Sequence, residues 1–174
     1  MKLINIDYPS NKYIIIDLEK PYYPVLALYG HPSRRSFKDR NYELPFSIAV
    51  TNYFHFPNGM AYTWFIDIDN QYPRELEKHA ILVTKTMKGF HVYLDIMAPT
   101  FIKAMKHAYR WHKTYGDKGQ LKMALLRNPP MLLIRIAGKY TTPIEVIYER
   151  HACCWELEEW KRNVIFLINY LNQY

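Results

Sequence analysis

Cysteine is scarce in this chain of 174 residues: there are two, Cys153 and Cys154, adjacent in sequence. Neighbouring cysteines alone build neither a zinc ribbon nor a disulfide framework, so no structural zinc is expected and the chain reads as intracellular. Long apolar runs are also missing. The longest, such as Ala80–Val83, Met131–Ile134 and Val164–Ile168, fall far short of the ~20 residues of a membrane span. The opening stretch MKLINIDYPS lacks the apolar core of ~7–15 residues that marks a signal peptide. No Pro/Gly/Ser linker, repeat or low-complexity tract divides the chain. One cytoplasmic domain over residues 1–174, away from any membrane, is the expectation.

Acidic residues are nearly absent from one stretch. Residues 101–140 carry nine Lys and Arg against a single acid, Asp117. Residues 1–100 hold 11 basic and 10 acidic side chains, and residues 141–174 hold 3 and 5. The net charge of +7 therefore comes from forty residues. A confined basic field fits a polyanionic partner such as a phosphate backbone or a nucleotide; a merely solvated face is the plain alternative.

What is present is nearly half apolar, at 49%, with 22% charged residues, enough to bury a core. Tyr13–Ile16 reads as a strand, and Leu44–Asn52 fits a strand or a short helix. Ala61–Asp69 alternates and is rich in β-formers, predicting one strand. Ala80–Thr84 and Phe90–Ile96 flank the polar, glycine-ended segment Lys85–Gly89, predicting a hairpin. Pro99 is expected to open a helix that Gly116 stops. That helix would put Phe101, Met105, Ala108 and His112 on one face and Lys103, Lys106, Arg110 and Lys113 on another. Leu121–Leu126 and Met131–Gly138 read as strands. The closing helix, Glu156–Leu171, has Leu157, Trp160, Val164, Leu167, Ile168 and Leu171 on one face. Strands, helix, strands, helix predict an α+β fold, a mostly antiparallel sheet packed with helices.

Three segments carry chemistry. In Phe65-Ile66-Asp67-Ile68-Asp69, the spacing i, i+2 turns both carboxylates to one face of a strand and both isoleucines to the other. Two adjacent carboxylates repel unless a cation lies between them, and Mg²⁺ favours such oxygen donors together with substrate phosphates. An ordinary solvent-facing strand edge is the other reading. In the second segment, Thr84 to Tyr93, Lys85 and Lys88 supply charge, Gly89 permits close approach to a phosphate, and His91 offers a donor. In the third, Arg135 interrupts the apolar run Met131–Ile136; a buried guanidinium requires a carboxylate or a ligand phosphate as partner.

Taken in order, these segments resemble the archaeo-eukaryotic primase superfamily, which includes primase small subunits and primase-polymerases. Arg34-Arg35-Ser36-Phe37 is similar to the family's Arg-Arg-Glu-Phe type segment, with Ser36 in place of Glu. Trp64-Phe65-Ile66-Asp67-Ile68-Asp69 is similar to its metal-binding strand. Thr86-Met87-Lys88-Gly89-Phe90-His91-Val92-Tyr93 resembles its Ser-Gly-Arg-Gly-Tyr-His-Val loop and strand. Leu133-Ile134-Arg135-Ile136-Ala137-Gly138-Lys139 resembles its Leu-Ile-Arg-Leu-Pro-Gly-Ser segment. The set spans residues 34 to 140 and lacks the family's zinc insertion.

The resemblance implies an RRM-like, primase-type sheet and a nucleotidyltransferase that makes or extends short RNA or DNA primers on a single-stranded DNA template from NTPs or dNTPs. Asp67 and Asp69 would hold Mg²⁺ or Mn²⁺. The usual third carboxylate has no counterpart near Met123; Asp117 is the candidate, ahead of Glu145 and Glu149. Thr86, Lys88, His91, Arg135, Lys139 and Arg35 would hold the nucleotide. Lys103, Lys106, Arg110 and Lys113 would follow the template, with Tyr109 and Trp111 near enough to stack on bases. A helicase or a primase accessory subunit is the expected partner. The alternative is a catalytically reduced, nucleic-acid-binding replication accessory protein on the same fold. A strand-nicking tyrosine nuclease is disfavoured, because His55-Phe56-Pro57 lacks the second histidine of a His-hydrophobic-His metal pair.

Overall fold

The computed structural model describes residues 1–8, 11–30, 46–69, 71–137 and 144–173. Arg34–Phe37, Arg35 included, and Gly138 and Lys139 lie outside the described residues. Two antiparallel sheets form the frame, where one was expected. The first has the order β1-β2-β3-β4-β10, with β1 at Lys2–Tyr8, β2 at Asn11–Asp17, β3 at Leu26–Gly30, β4 at Phe46–Thr51 and β10 at Leu133–Ala137. The second has the order β11-β8-β9-β7, with β7 at Phe65–Asp69, β8 at Ala80–Lys85, β9 at Gly89–Leu94 and β11 at Glu145–Glu149. A hairpin, β5 at Tyr53–Phe56 and β6 at Gly59–Tyr62, links the two.

Four helices complete the described residues: α1 at Arg74–Glu77, α2 at Phe101–Tyr115, α3 at Lys118–Leu126 and α4 at Trp155–Leu171. The α+β class is what the chain adopts, and none of these helices is long and apolar enough to cross a membrane.

Several local expectations shift. Ala61–Asp69 is not one strand: β6 ends at Tyr62 and β7 starts at Phe65. Between them Thr63 donates its amide to the Asn52 carbonyl at 2.8 Å, which turns the chain from one ladder to the next. Leu121–Leu126 belongs to a helix, not a strand. Leu, Lys, Met and Ala are good helix formers, and the Asp117 carboxylate caps the start by accepting the Gly119 amide at 2.8 Å. Pro99 lies one residue before the cap of α2, which is Thr100, whose hydroxyl accepts the Lys103 amide at 3.2 Å. Gly116 does end α2, but in extended geometry. A Cβ there would sit 2.8 Å from the His112 ring, so close approach rather than a left-handed turn requires the glycine.

The main core holds Trp64, Phe65, Tyr93, Phe54 and Trp160, all fully buried. Trp160 of α4 stacks on Phe54 at 5.7 Å and lies 6.2 Å from Tyr93, so α4 closes the space beside the second sheet. A smaller cluster around Tyr13, Ile15, Ala27, Ala49 and Met131 covers the first sheet. Asn52, fully buried, ties the pieces together: its amide donates to the Thr63 carbonyl at 3.0 Å and its carbonyl accepts the Leu132 amide at 2.8 Å.

Candidate functional site

β7 is an edge strand, and its burial follows its sequence. Ile66 and Ile68 are buried, Asp67 is half-exposed and Asp69 is exposed. Its ladder with β9 pairs Phe65 with Tyr93, Asp67 with His91 and Asp69 with Gly89. The face therefore grades from an apolar ring pair, Phe65 edge-on to Tyr93 at 5.6 Å, through Asp67 and His91, to an open carboxylate at Asp69. On the next strand Thr84 lies opposite His91. Asp67, His91 and Thr84 thus form one row across three strands on the same face.

The free edge of β7 is clamped at the level of Asp67. The Asp67 amide donates to Oε1 of Gln120 at 3.1 Å, and its carbonyl accepts the Asp117 amide at 3.2 Å. The turn from α2 to α3 therefore fixes the backbone from which Asp67 projects. Gln120 went unread in the sequence, since nothing local distinguishes it from a surface amide.

His91 is 8% exposed, and its Nε2 lies 3.7 Å from Asp67 Oδ1. That exceeds hydrogen-bond length. Burial, with a smaller contribution from the Arg135 guanidinium, lowers its pKa to about 3, so the imidazole is neutral at pH 7. Burial, reinforced by the Asp67 charge, raises the pKa of the Tyr93 hydroxyl. His91 Nδ1, Thr84 Oγ1 and Tyr93 OH are all buried without a hydrogen-bond partner, as is Nε1 of Trp160. Buried polar atoms are ordinarily paired, so unfilled hydrogen-bonding capacity collects behind a half-exposed carboxylate.

Gly89 has a structural reason of its own. A Cβ at this position would lie 1.9 Å from the Ile68 carbonyl oxygen, so only glycine lets β9 approach β7 here. The turn before it is self-contained: the Gly89 amide donates to Thr86 Oγ1 at 3.1 Å, and the Thr86 amide donates to the Gly89 carbonyl at 2.8 Å. Lys85 and Lys88 are exposed at its rim.

Asp117 lies beside Asp67 through its backbone, while its side chain caps α3. Among the described residues no set of three His, Cys, Asp or Glu side chains gathers as a metal site. Arg135 sits half-buried on β10, and its charge acts on His91. Lys103, Lys106, Arg110 and Lys113 are all exposed along α2, opposite buried Phe101, Ala104, Ala108 and His112. Tyr109 is exposed, whereas half-buried Trp111 already stacks on Tyr115 and on His79. The sequence pattern also gave no sign of Asp17, a buried carboxylate 2.7 Å from His55 Nε2 and 38 positions away. Comparison with family models, with curated proteins and with solved structures gives no significant match to this chain.

Proposed function

We propose that this chain is a primase-type nucleotidyltransferase that makes or extends short RNA or DNA strands on single-stranded DNA. The observation that carries this reading is the ladder itself: Asp67 faces His91 and Asp69 faces Gly89, beside a turn bearing Lys85 and Lys88. A nucleotide triphosphate needs anion-binding groups next to an oxygen-rich cation site, and this row offers both.

Asp67 and Asp69 are suited to Mg²⁺ or Mn²⁺, because Mg²⁺ takes one or two carboxylates and completes its shell with water and substrate phosphates. When bound, such an ion acidifies the attacking hydroxyl and offsets the charge on the phosphates. The protein's own part is positional and electrostatic. Neutral His91 keeps one N–H, which would donate to a phosphate oxygen. Lys88 and Arg135 add positive charge, and the clamp of Gln120 and the Asp117 amide on the Asp67 backbone holds the acid in place. Asp117 is the candidate third acid only if its carboxylate leaves the α3 cap. The cationic row of α2 would follow the template backbone.

The test is incorporation of labelled NTPs or dNTPs on primed and unprimed single-stranded DNA with Mg²⁺ or Mn²⁺. Incorporation that disappears in Asp67→Asn supports the proposal; its absence from the wild-type protein under all of these conditions overturns it. The lack of a third gathered carboxylate among the described residues favours a second reading, a nucleic-acid-binding replication accessory protein. That reading predicts strong, salt-sensitive binding of single-stranded DNA that Asp67→Asn leaves unchanged.

A further inference from the structure

Cys153 and Cys154, the two cysteines of the chain, lie between β11 and α4, and Met97 lies on the connection from β9 to α2. The fold brings them together: Cys154 Sγ is 3.8 Å from Met97 Sδ, 57 positions away. Met97 and Cys153 also line a cleft of about 430 Å³ whose other walls include Lys78, His107, Trp111 and Arg150, so an ion has access to the sulfurs. We infer that Cys153, Cys154 and Met97 bind one soft monovalent cation of the copper(I) class.

The donor set is the first argument. Thiolate and thioether sulfur select Cu(I) over hard ions. Zn²⁺ is held by three or four Cys, His, Asp or Glu side chains, and among the described residues no three of these gather. Spacing is the second. With metal–sulfur bonds of about 2.3 Å and angles of about 110–120°, two ligand sulfurs stand about 3.8–4.0 Å apart, the separation that Cys154 and Met97 already have. The third is a fixed frame. Asp95 Oδ1 accepts the Cys153 amide at 2.9 Å, and Asp95 Oδ2 accepts from Arg150 at 3.0 Å. Cys154 is the cap residue of α4: its carbonyl accepts the Glu158 amide at 3.1 Å, while its thiol makes no cap bond and is turned to Met97 instead. Both cysteines are free thiols. Burial, with Asp95 and the Cys154 thiol as hydrogen-bond partners, pushes the Cys153 pKa up to about 12, so the ion has to displace that proton. On binding, Cu⁺ replaces one proton on each thiol, two protons pass to solvent, and the Met97 thioether donates a lone pair; no oxidation state changes. The bound unit carries one net negative charge, which Lys78 and Arg150 of the same cleft offset.

The experiment is an anaerobic titration of the reduced protein against Cu(I) held by the coloured chelator bicinchoninate, with no nucleotide or DNA present. The wild type is expected to withdraw one equivalent per chain and to gain thiolate-to-copper charge-transfer absorption in the ultraviolet. The double variant Cys153→Ser, Cys154→Ser is expected to withdraw none. Because two adjacent thiols bind Cu(I) on any chain, the decisive arm is Met97→Leu, a swap of similar volume at a partly exposed position. It keeps both thiols and is expected to weaken binding by at least the roughly tenfold that loss of an outer partner costs a metal site, with unchanged circular dichroism. A wild type that withdraws no copper, a Met97→Leu variant that binds as tightly as the wild type, or displacement of Cu(I) by an equal concentration of Zn²⁺ overturns the inference.

Discussion

Asp67 and His91 face each other across the β7–β9 ladder with 3.7 Å between Oδ1 and Nε2, and the histidine is neutral at pH 7, so the two do not form an ion pair. A buried neutral imidazole with an unpaired Nδ1, next to a half-exposed carboxylate, contributes little to stability. A functional role for this pair and the structural roles of the same strands are separable by experiment.

His91 ties stability to pH. Its folded pKa is lowered to about 3 by burial and by Arg135, while the unfolded value is about 6.5. Between those values the unfolded chain binds the additional proton, so stability is greatest above about pH 6.5 and falls as pH drops toward 3. The slope from this one group approaches about 1.4 kcal/mol per pH unit. Urea unfolding from pH 7.5 to 4.5 should show a shallower decline in His91→Gln than in the wild type. His112, lowered by its own burial, contributes to both proteins and cancels in the difference. Identical slopes would refute the assignment.

Gly89→Ala should destabilise the fold by about 3 kcal/mol or more, because the new methyl collides with the Ile68 carbonyl. Denaturant midpoints measure this. A variant as stable as the wild type would mean that the two strands separate at no cost, contrary to a fixed Asp69–Gly89 register.

Asn52→Ala removes the buried amide that joins Thr63 to Leu132. It leaves a carbonyl and an N–H without partners, at roughly 2–5 kcal/mol in total. Thermal unfolding should show a large loss. A change below about 1 kcal/mol would show that water reaches both groups.

Gln120→Leu tests the clamp on β7. It removes the acceptor of the Asp67 amide at a partly exposed place, so the expected cost to stability is modest, about 1 kcal/mol. If the clamp positions Asp67 for chemistry, incorporation falls by more than this cost implies and Gln120→Glu restores part of it. Equal activity in Leu and Gln forms would assign the contact to packing alone.

Elements whose pattern is settled locally are legible in the amino-acid order alone. The alternation of Phe65–Asp69 sets which side chains face together, and the spacing of Lys103, Lys106, Arg110 and Lys113 sets the exposed side of α2. A short apolar run that fits two periods is misread. Leu121–Leu126 is helical because Asp117 caps the chain just ahead of it and starts the helix at Lys118. The division into two sheets is hidden, since it depends on Asn52 bonding residues 11 and 80 positions away. The site divides in the same way. Facing of Asp67 and His91 follows from the alternation within β7 and within the β8–β9 hairpin once β7 pairs with β9, past β8 in the chain, whereas the Gln120 clamp, the Asp17–His55 pair and the Lys78–Trp111 cleft come from contacts between more distant segments.

The proposed chemistry stands or falls on metal-dependent incorporation of a labelled nucleotide on single-stranded DNA, measured side by side for wild type, Asp67→Asn and Asp69→Asn. Incorporation by the wild type should require Mg²⁺ or Mn²⁺ and fall at least about a hundredfold in each variant, with folding intact because neither acid is buried. Wild-type incorporation that persists in both variants, or a wild type inactive with every nucleotide and metal tried, would contradict it.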